Sequence, residues 1–162
     1  MNVLFLDYDG VVNIPMWDKE GKSCRYNHPG DNAVNNFQAV QWVSEFCQKY
    51  NYNIVVTSTW RRSDNYKECL INGGLREGVN IAGAVPSLIW ARSRGEEIGK
   101  YLEENPEVKR YIIFDDEDDM QNDLGLPLSD HLVQCKTEAG ITLMEFYRAV
   151  QLHKKLYGEE ND

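Results

Sequence analysis

The sequence predicts an α/β protein in which a mainly parallel, Rossmann-like sheet lies between two layers of helices. Residues 3–6 and 111–114 are apolar without alternation, as expected of strands that are buried on both faces of a parallel sheet. Segments with apolar residues at helical spacing separate such runs, so strands and helices alternate along the chain. We therefore expect a three-layer α/β/α sandwich, and no insertion is long enough to form a large cap domain.

Length and composition fit a single domain. The chain has 162 residues, of which 42% are hydrophobic, and this is enough for one core. We expect the domain to span residues 1–157 and residues 158–162 to form a frayed tail. The formal net charge of −9 disfavours strong binding of a nucleic-acid polymer.

The cysteines and the apolar runs bear on the location of the protein. The four cysteines are widely spaced and include no C-x-x-C pair, which favours reduced thiols over a zinc or redox site. We find no leader typical of a signal peptide and no apolar run of membrane-spanning length. These features predict a cytoplasmic protein with no membrane partner.

The first predicted strand, residues 3–6, is followed directly by two acids. Asp7 and Asp9 flank Tyr8, and Gly10 allows the backbone to turn sharply after them. A hairpin turn is the alternative interpretation, but the strand lacks the alternation of a half-exposed hairpin strand. Because ligands of open α/β sheets bind at the carboxyl ends of the strands, the two acids form a candidate reaction centre.

A long loop and a helix follow the acids. Residues 13–30 are rich in Pro and Gly and are predicted to form a loop or flap over the edge of the sheet. Asp31 or Asn32 is expected to cap the next helix, whose apolar stripe runs to Tyr50. Three apolar side chains of the loop either line a pocket or attach the loop to the body, and both options stay open: Met16, Trp17 and Tyr26.

The second predicted strand, residues 53–56, ends in hydroxyl and basic side chains. Hydroxyls and guanidinium groups suit phosphate oxygens, whereas the alternative is a helix cap followed by exposed arginines. The residues concerned are Thr57, Ser58, Thr59, Arg61 and Arg62. Beyond them we expect a helix over residues 63–70 and a strand within residues 79–85, and residues 73–92 form a second candidate flap.

The second half of the chain repeats the pattern of a buried strand followed by acids. Ser93 and Glu96 have the spacing of a capping box that opens the next helix. The strand at residues 111–114 leads into an acidic run from Asp115 to Asp119. Such a run is usually a solvated loop, but its place after a buried strand indicates a function. We further expect a last strand at residues 131–135 and a closing helix with a capping box at Thr142 and Glu145.

The parallel strands would bring these polar side chains to one edge of the sheet. Several carboxylates cannot all stay ionised there without a cation, and a donor set of oxygens alone suits Mg²⁺. Mg²⁺ with hydroxyl and basic partners favours phosphoryl transfer. Asp7 could attack phosphorus and form an aspartyl-phosphate, while Asp9 could protonate the leaving oxygen and then activate water. The set is Asp7, Asp9, Thr57, Ser58, Asp115 and Asp116, with Arg92, Arg94 and Lys100 nearby.

The order of these motifs resembles the haloacid dehalogenase-like (HAD) superfamily of phosphatases. The matching features are h-h-h-h-D-x-D-G-V-V, then T-S-T after a strand, a basic residue and D-D after a later strand. More narrowly, T-S-T-W-R, R-G-E-E-I and F-D-D-E-D-D-M resemble the small HAD domain of Swiss Army knife RNA-repair proteins. The resemblance covers nearly the whole chain.

The resemblance implies a role for each matching residue. It implies that Asp7 is the nucleophile and Asp9 the acid and base, and that the Asp7 carboxylate and the Asp9 carbonyl bind the metal. The acid of the last motif is best matched by Asp116, then by Asp115, with Asp119 as an outer candidate. The phosphate-binding hydroxyl is Thr57, or Ser58 if the match shifts by one residue. The basic residue that binds the phosphate stays open among Arg94, Arg92 and Lys100.

Three functions are consistent with these residues. The first is a Mg²⁺-dependent phosphomonoester hydrolase whose substrate is a phosphorylated small molecule or a nucleotide-like compound. The second is a phosphatase of RNA or DNA ends, which the net charge does not favour. The third is a regulatory module that binds phosphate and metal with little turnover. The histidines do not cluster and are expected to be structural or exposed: His28, His131 and His153.

Overall fold

A computed structural model describes residues 1–17, 20, 24–25 and 35–158. Most of the flap predicted over residues 13–30 lies outside these ranges, as do Asp31, Asn32, Tyr26, His28 and the tail from residue 159. The strands are β1 (Asn2–Leu6), β2 (Met16–Trp17), β3 (Cys24–Arg25), β4 (Asn53–Val56), β5 (Ile81–Ala84), β6 (Arg110–Asp115) and β7 (Leu132–Gln134). The helices are α1 (Phe37–Tyr50), α2 (Tyr66–Asn72), α3 (Arg94–Glu104) and α4 (Leu143–Tyr157), with 3₁₀ turns at Thr59–Arg62 and Leu128–His131.

The fold is the predicted α/β class, with a five-stranded parallel sheet in the order β5-β4-β1-β6-β7 and no large cap among the described residues. Strand β1 lies in the centre, where Leu6 pairs with Val56 of β4 and Phe114 of β6. Strands β2 and β3 form a separate antiparallel pair. Since the strands are parallel and in register, the residues that follow β1, β4 and β6 meet at one edge.

Helices cover both faces of the sheet. Leu4 and Leu6 of β1 belong to the apolar cluster that includes residues of α1, α2 and α4, whereas Val3 and Phe5 pack in the cluster of α3. All four side chains are fully buried. This confirms the prediction, made from the unbroken apolar run, that the strand is covered on both faces. No helix in the described part of the chain is both long and apolar enough to cross a membrane.

The element boundaries differ from the predicted ones where local polar contacts decide them. Helix α1 begins at Phe37, because the Asn36 side chain accepts a hydrogen bond from the Ala39 amide. The helix predicted over residues 63–70 is α2, which begins later, at Tyr66, because Ser63 is extended where it ends the preceding 3₁₀ turn. Strand β5 lies within the second candidate flap, residues 73–92. The capping box predicted for α4 at Thr142 and Glu145 is confirmed. For α3 the cap at Ser93 is confirmed, but the Glu96 side chain accepts from the Arg92 amide and so does not complete the predicted box.

Candidate active site

The site lies where the three central strands end. The Asp7 amide donates to the carbonyl of Phe114 at 3.0 Å, and the Thr57 amide donates to the carbonyl of Leu6 at 2.9 Å. These bonds continue the ladders of the sheet by one residue, so Asp7, Thr57 and Asp115 leave neighbouring strands side by side. The parallel register therefore determines which side chains meet, as the sequence predicts for this edge.

Three carboxylates form a compact cluster at this edge. Asp7, Asp115 and Asp116 each offer an oxygen atom within 4.8 Å of the other two. Asp7 is 6% exposed and Asp115 is 2% exposed. Burial raises the pKa of both carboxyl groups, and Arg94 offsets this only in part. The raised pKa values mean that negative charge on these oxygens is only partly compensated by the protein, which fits a hard divalent cation such as Mg²⁺.

A tight turn after β1 orients Asp9. The amides of Val11, Val12 and Asn13 all donate to the carbonyl of Tyr8, at 2.7 to 3.0 Å. Gly10 has φ +73°, and a Cβ atom there would collide with the Asp116 carboxylate. The Asn13 side chain donates to Asp9 Oδ1 at 2.6 Å. Glycine is thus required both for the turn and for the close approach of Asp116.

Asp116 is held by a residue that the sequence analysis missed. Thr137 Oγ1 donates to Asp116 Oδ2 at 2.8 Å, and the Gln134 side chain donates to the Asp116 carbonyl at 3.1 Å. Thr137 lies three residues beyond β7, at the same edge of the sheet as the acids. That position is the one signal in the sequence that could have identified it.

Arg94 is the basic side chain that lies among the acids. Its Nη2 atom is 3.6 Å from Asp7 Oδ1, and its Nε atom is 3.5 Å from Asp115 Oδ2. Burial lowers the pKa of Arg94, but the surrounding carboxylates outweigh burial and raise it. Lys100 is paired with Glu103 and Glu104 on the exposed side of α3 instead.

Arg92 and Asp119 occupy the approach to α3. Arg92 is exposed and does not line the open cavity at this edge of the sheet, so its contact with phosphate stays a prediction. Asp119 Oδ2 accepts from the Arg94 amide at 2.9 Å, and its carbonyl accepts from the Gly95 amide at 3.0 Å. The acidic loop is therefore attached to the start of α3. The role of Asp119 as an outer metal ligand stays a prediction.

The hydroxyl groups after β4 differ in their surroundings. Thr57 is 0% exposed, and its Oγ1 atom has no hydrogen-bond partner among the described residues. Ser58 lines the cavity, but its Oγ atom accepts from the Trp60 amide at 3.3 Å and caps the 3₁₀ turn. Thr59 is exposed and also lines the cavity, although the motif match did not select it. Thr57 and Ser58 both stay candidates for the phosphate-binding hydroxyl.

The two arginines after β4 have separate environments. The Arg61 side chain is 3% exposed, so the alternative of exposed arginines is wrong for this residue. Arg62 is exposed and donates to Ser87 Oγ at 3.0 Å. The two predicted structural histidines that are described also lie outside the cavity, because His131 contacts the Tyr111 carbonyl and His153 the Tyr52 hydroxyl.

An open cavity of about 410 Å³ lies above these groups. Its volume falls within the range of about 300–1,000 Å³ that is common for ligand pockets. Its lining combines carboxylates, hydroxyl groups and the guanidinium group of Arg94. The lining residues are Asp7, Asp9, Ser58, Thr59, Arg94, Asp116, Glu117 and Thr137.

Comparison with known proteins identifies the family. A family model described as the HAD domain in Swiss Army Knife RNA repair proteins matches residues 3–146. No curated protein and no solved structure matches the chain. Apart from Asn2 at the start of β1, the match includes all strands of the five-stranded sheet, and it includes every residue that lines the cavity. The chain therefore belongs to the family of HAD domains that occur in Swiss Army Knife RNA repair proteins.

Proposed function

We propose that this protein is a Mg²⁺-dependent phosphomonoester hydrolase in which Asp7 is the nucleophile. The observation that carries the proposal is the cluster formed by the buried Asp7 and Asp115 with the half-buried Asp116, and the Arg94 guanidinium lies 3.6 Å from Asp7. An acid that leaves the central strand and faces an open polar cavity is placed to meet a substrate. The family, whose members occur in RNA-repair proteins, supports hydrolysis of phosphate esters.

The reaction proceeds in two displacements. An Asp7 carboxylate oxygen attacks phosphorus, the bond from phosphorus to the leaving oxygen breaks, and Asp9 donates a proton to that oxygen. Asp9 then removes a proton from water, which attacks the aspartyl-phosphate and releases inorganic phosphate and the Asp7 carboxylate. Asn13 supports both steps, since its bond to Oδ1 keeps the Asp9 side chain in one direction.

The chain offers a complete set of groups for the phosphoryl oxygens. Arg94 would bind one or two of them with its Nε and Nη2 donors, and the hydroxyl of Thr57 or Ser58 would bind another. Asp7, Asp115, Asp116 and the Asp9 carbonyl would hold Mg²⁺. When bound, the ion supplies positive charge that stabilises the phosphoryl oxygens in the transition state.

A phosphatase of polynucleotide ends is the second candidate. Two observations favour it, namely the family's occurrence in RNA-repair proteins and a cavity that is open enough for a bulky leaving group. The net charge of −9 opposes strong affinity for the rest of a polymer. On this proposal the enzyme recognises the phosphorylated terminus and the nearest nucleotide.

The test is turnover of p-nitrophenyl phosphate by the wild type and by Asp7→Asn, each with Mg²⁺ or with EDTA. We expect turnover by the wild type with Mg²⁺ only, and a loss of at least about 1,000-fold in Asp7→Asn because no covalent intermediate can form. Asp130→Asn is a matched control, because Asp130 is exposed just before β7, at the opposite edge of the sheet. Equal turnover in wild type and Asp7→Asn would contradict the proposal. Tight phosphate binding without turnover would instead favour the regulatory module.

A further inference from the structure

A buried carboxylate beneath the cavity joins two arginines. Glu97 of α3 is 7% exposed, and each of its oxygens contacts a different guanidinium group. Oε1 lies 2.6 Å from Arg61 Nη2, and Oε2 lies 3.1 Å from Arg94 Nη1. Both arginines also donate to the same backbone carbonyl, that of Thr57. The four groups form a closed network between β4 and α3.

Arg61 is fixed independently of the substrate. Its guanidinium donates to the carbonyls of Thr57 at 2.5 Å, Ser58 at 2.9 Å and Pro86 at 3.4 Å, as well as to Glu97. Arg61 is not among the residues that line the cavity. Arg61 thus contacts Glu97 from outside the cavity, and its positive charge holds the Glu97 carboxylate in place.

The network determines the direction of Arg94. Its Nη1 atom donates hydrogen bonds to Glu97 and to the Thr57 carbonyl. Its Nε atom faces Asp115, and its Nη2 atom faces Asp7. A guanidinium group is planar and rigid, so holding one nitrogen fixes where the others point. A lysine has a single charged nitrogen and cannot be oriented in this way.

We propose that Glu97 is a positioning residue, held by Arg61, that orients the Arg94 guanidinium toward the phosphoryl group at Asp7. The inference rests on the proposed function, because it assigns the phosphate contact to Arg94. Without the Glu97 carboxylate, two guanidinium groups would share one carbonyl with no negative charge between them. Their repulsion would move the more exposed group, Arg94, away from the Thr57 carbonyl.

The first test compares Glu97→Gln with the wild type in turnover of p-nitrophenyl phosphate and in calorimetric binding of inorganic phosphate, both with Mg²⁺. We expect kcat/KM to fall about 100-fold, the usual effect of a misplaced contact group, and phosphate affinity to fall with it. The matched control is Glu104→Gln, which removes an exposed carboxylate from the same helix and should change neither value. Unchanged phosphate affinity in Glu97→Gln would overturn the inference.

A double variant separates positioning from general structural support. In an Arg94→Ala background, Glu97→Gln should cause no further loss of kcat/KM, because there is no guanidinium left to orient. If kcat/KM of the double variant fell by the product of the two single-variant losses, the inference would be overturned. The melting temperatures of all variants show whether a loss comes from unfolding.

Chemical rescue tests the inference even if Glu97→Gln does not fold. The slot vacated in Arg94→Ala retains Glu97 and the Thr57 carbonyl, so millimolar guanidinium chloride should restore part of the activity, and ammonium chloride should not. Equal rescue by the two cations would overturn the inference. An inactive wild type would contradict the proposed function, whereas phosphate affinity still reports on Glu97 in that case.

Discussion

Three carboxylates of the cavity each have a neighbour that fixes their direction. Thr137 donates to Asp116, Asn13 donates to Asp9, and Arg94 lies beside Asp7. On the proposed function, such contacts would reduce the rearrangement needed when a phosphoryl group or a cation binds. The cost of gathering the acids is repulsion between buried negative charges, which these neighbours relieve only in part.

The burial of these acids, together with the repulsion between them, predicts a dependence of stability on pH and Mg²⁺. Burial raises the pKa of Asp7 and of Asp115 in the folded, metal-free protein. The folded state therefore holds protons that the unfolded chain has already lost, so its stability falls as pH rises from about 4 toward the raised pKa values. Bound Mg²⁺ would replace the protons and remove this loss.

We expect Mg²⁺ to raise the melting temperature more at about pH 8 than at about pH 5.5, measured against EDTA by thermal denaturation. Asp115→Asn should weaken both the pH dependence in EDTA and the gain from Mg²⁺. A gain from Mg²⁺ that is the same at both pH values would show that the acids are already ionised without metal.

A pair of substitutions distinguishes the two candidate hydroxyls. Thr57→Val keeps the shape of a side chain whose Oγ1 has no partner among the described residues, so stability should change little. If Thr57 binds the phosphoryl group, kcat/KM should fall about 10- to 100-fold, equivalent to losing one hydrogen bond to a charged group. Ser58→Ala removes the cap on the Trp60 amide and should cost about 1 kcal/mol of stability with a smaller effect on kcat/KM. The reverse ranking of kcat/KM would assign the phosphate contact to Ser58.

At the scale of elements, the start of α3 is attached to the acidic loop after β6. Ser93 Oγ donates to the Gln121 carbonyl at 2.6 Å, and the amides of Arg94 and Gly95 both donate to Asp119. A Cβ atom on Gly95 would collide with the Met120 backbone. The helix that carries Arg94 and the loop that carries Asp116 are thus kept at one separation.

Two alanine substitutions in α3 test this attachment. Gly95→Ala should separate the helix from the loop, lowering stability by about 1–3 kcal/mol and reducing kcat/KM. Gly99→Ala lies one turn later, where a Cβ would meet nothing closer than 3.5 Å, and should raise stability by about 0.5–1 kcal/mol with activity unchanged. Denaturant unfolding and turnover measure both effects. Equal effects of the two variants on stability and on kcat/KM would show that the close approach at Gly95 does not affect function.

At the scale of the whole molecule, the charge distribution affects substrate choice. The net charge of −9 repels a polyanion, and acids line the cavity in which we propose that phosphate binds. Negative charge on the rest of a long substrate therefore weakens its binding, and added salt screens this repulsion.

We expect kcat/KM for a phosphorylated oligonucleotide, relative to a mononucleotide with the same terminal base, to rise between about 20 and about 200 mM salt. A protein that neutralised phosphates with a basic surface would show the opposite slope, because counterion release weakens with salt. Steady-state kinetics across a salt series measure the ratio. A steep fall would reveal a basic polymer-binding surface and favour polynucleotide ends as substrates.

Local patterns in the sequence determined the fold and the edge at which the acids meet. Short stretches of neighbouring residues specify three of these patterns. They are the unbroken apolar run of β1, the caps at Ser93 and Thr142, and the acids after β1 and β6. Burial of a continuous run on both faces requires a parallel sheet with helices on each side, and parallel register then brings Asp7 and Asp115 together. These features needed no knowledge of distant contacts.

Only the tertiary structure determined which partner each basic or hydroxyl side chain contacts. Arg94 faces Asp7 whereas Lys100 pairs along its own helix, Arg61 is buried against Glu97, and Thr137 contacts Asp116 across 21 positions. Each of these outcomes depends on the rotation of a helix about its axis, or on the path of a loop. The rotation of a helix and the path of a loop are both determined by packing between elements that are far apart in sequence. The spacing of residues within one element does not determine that packing.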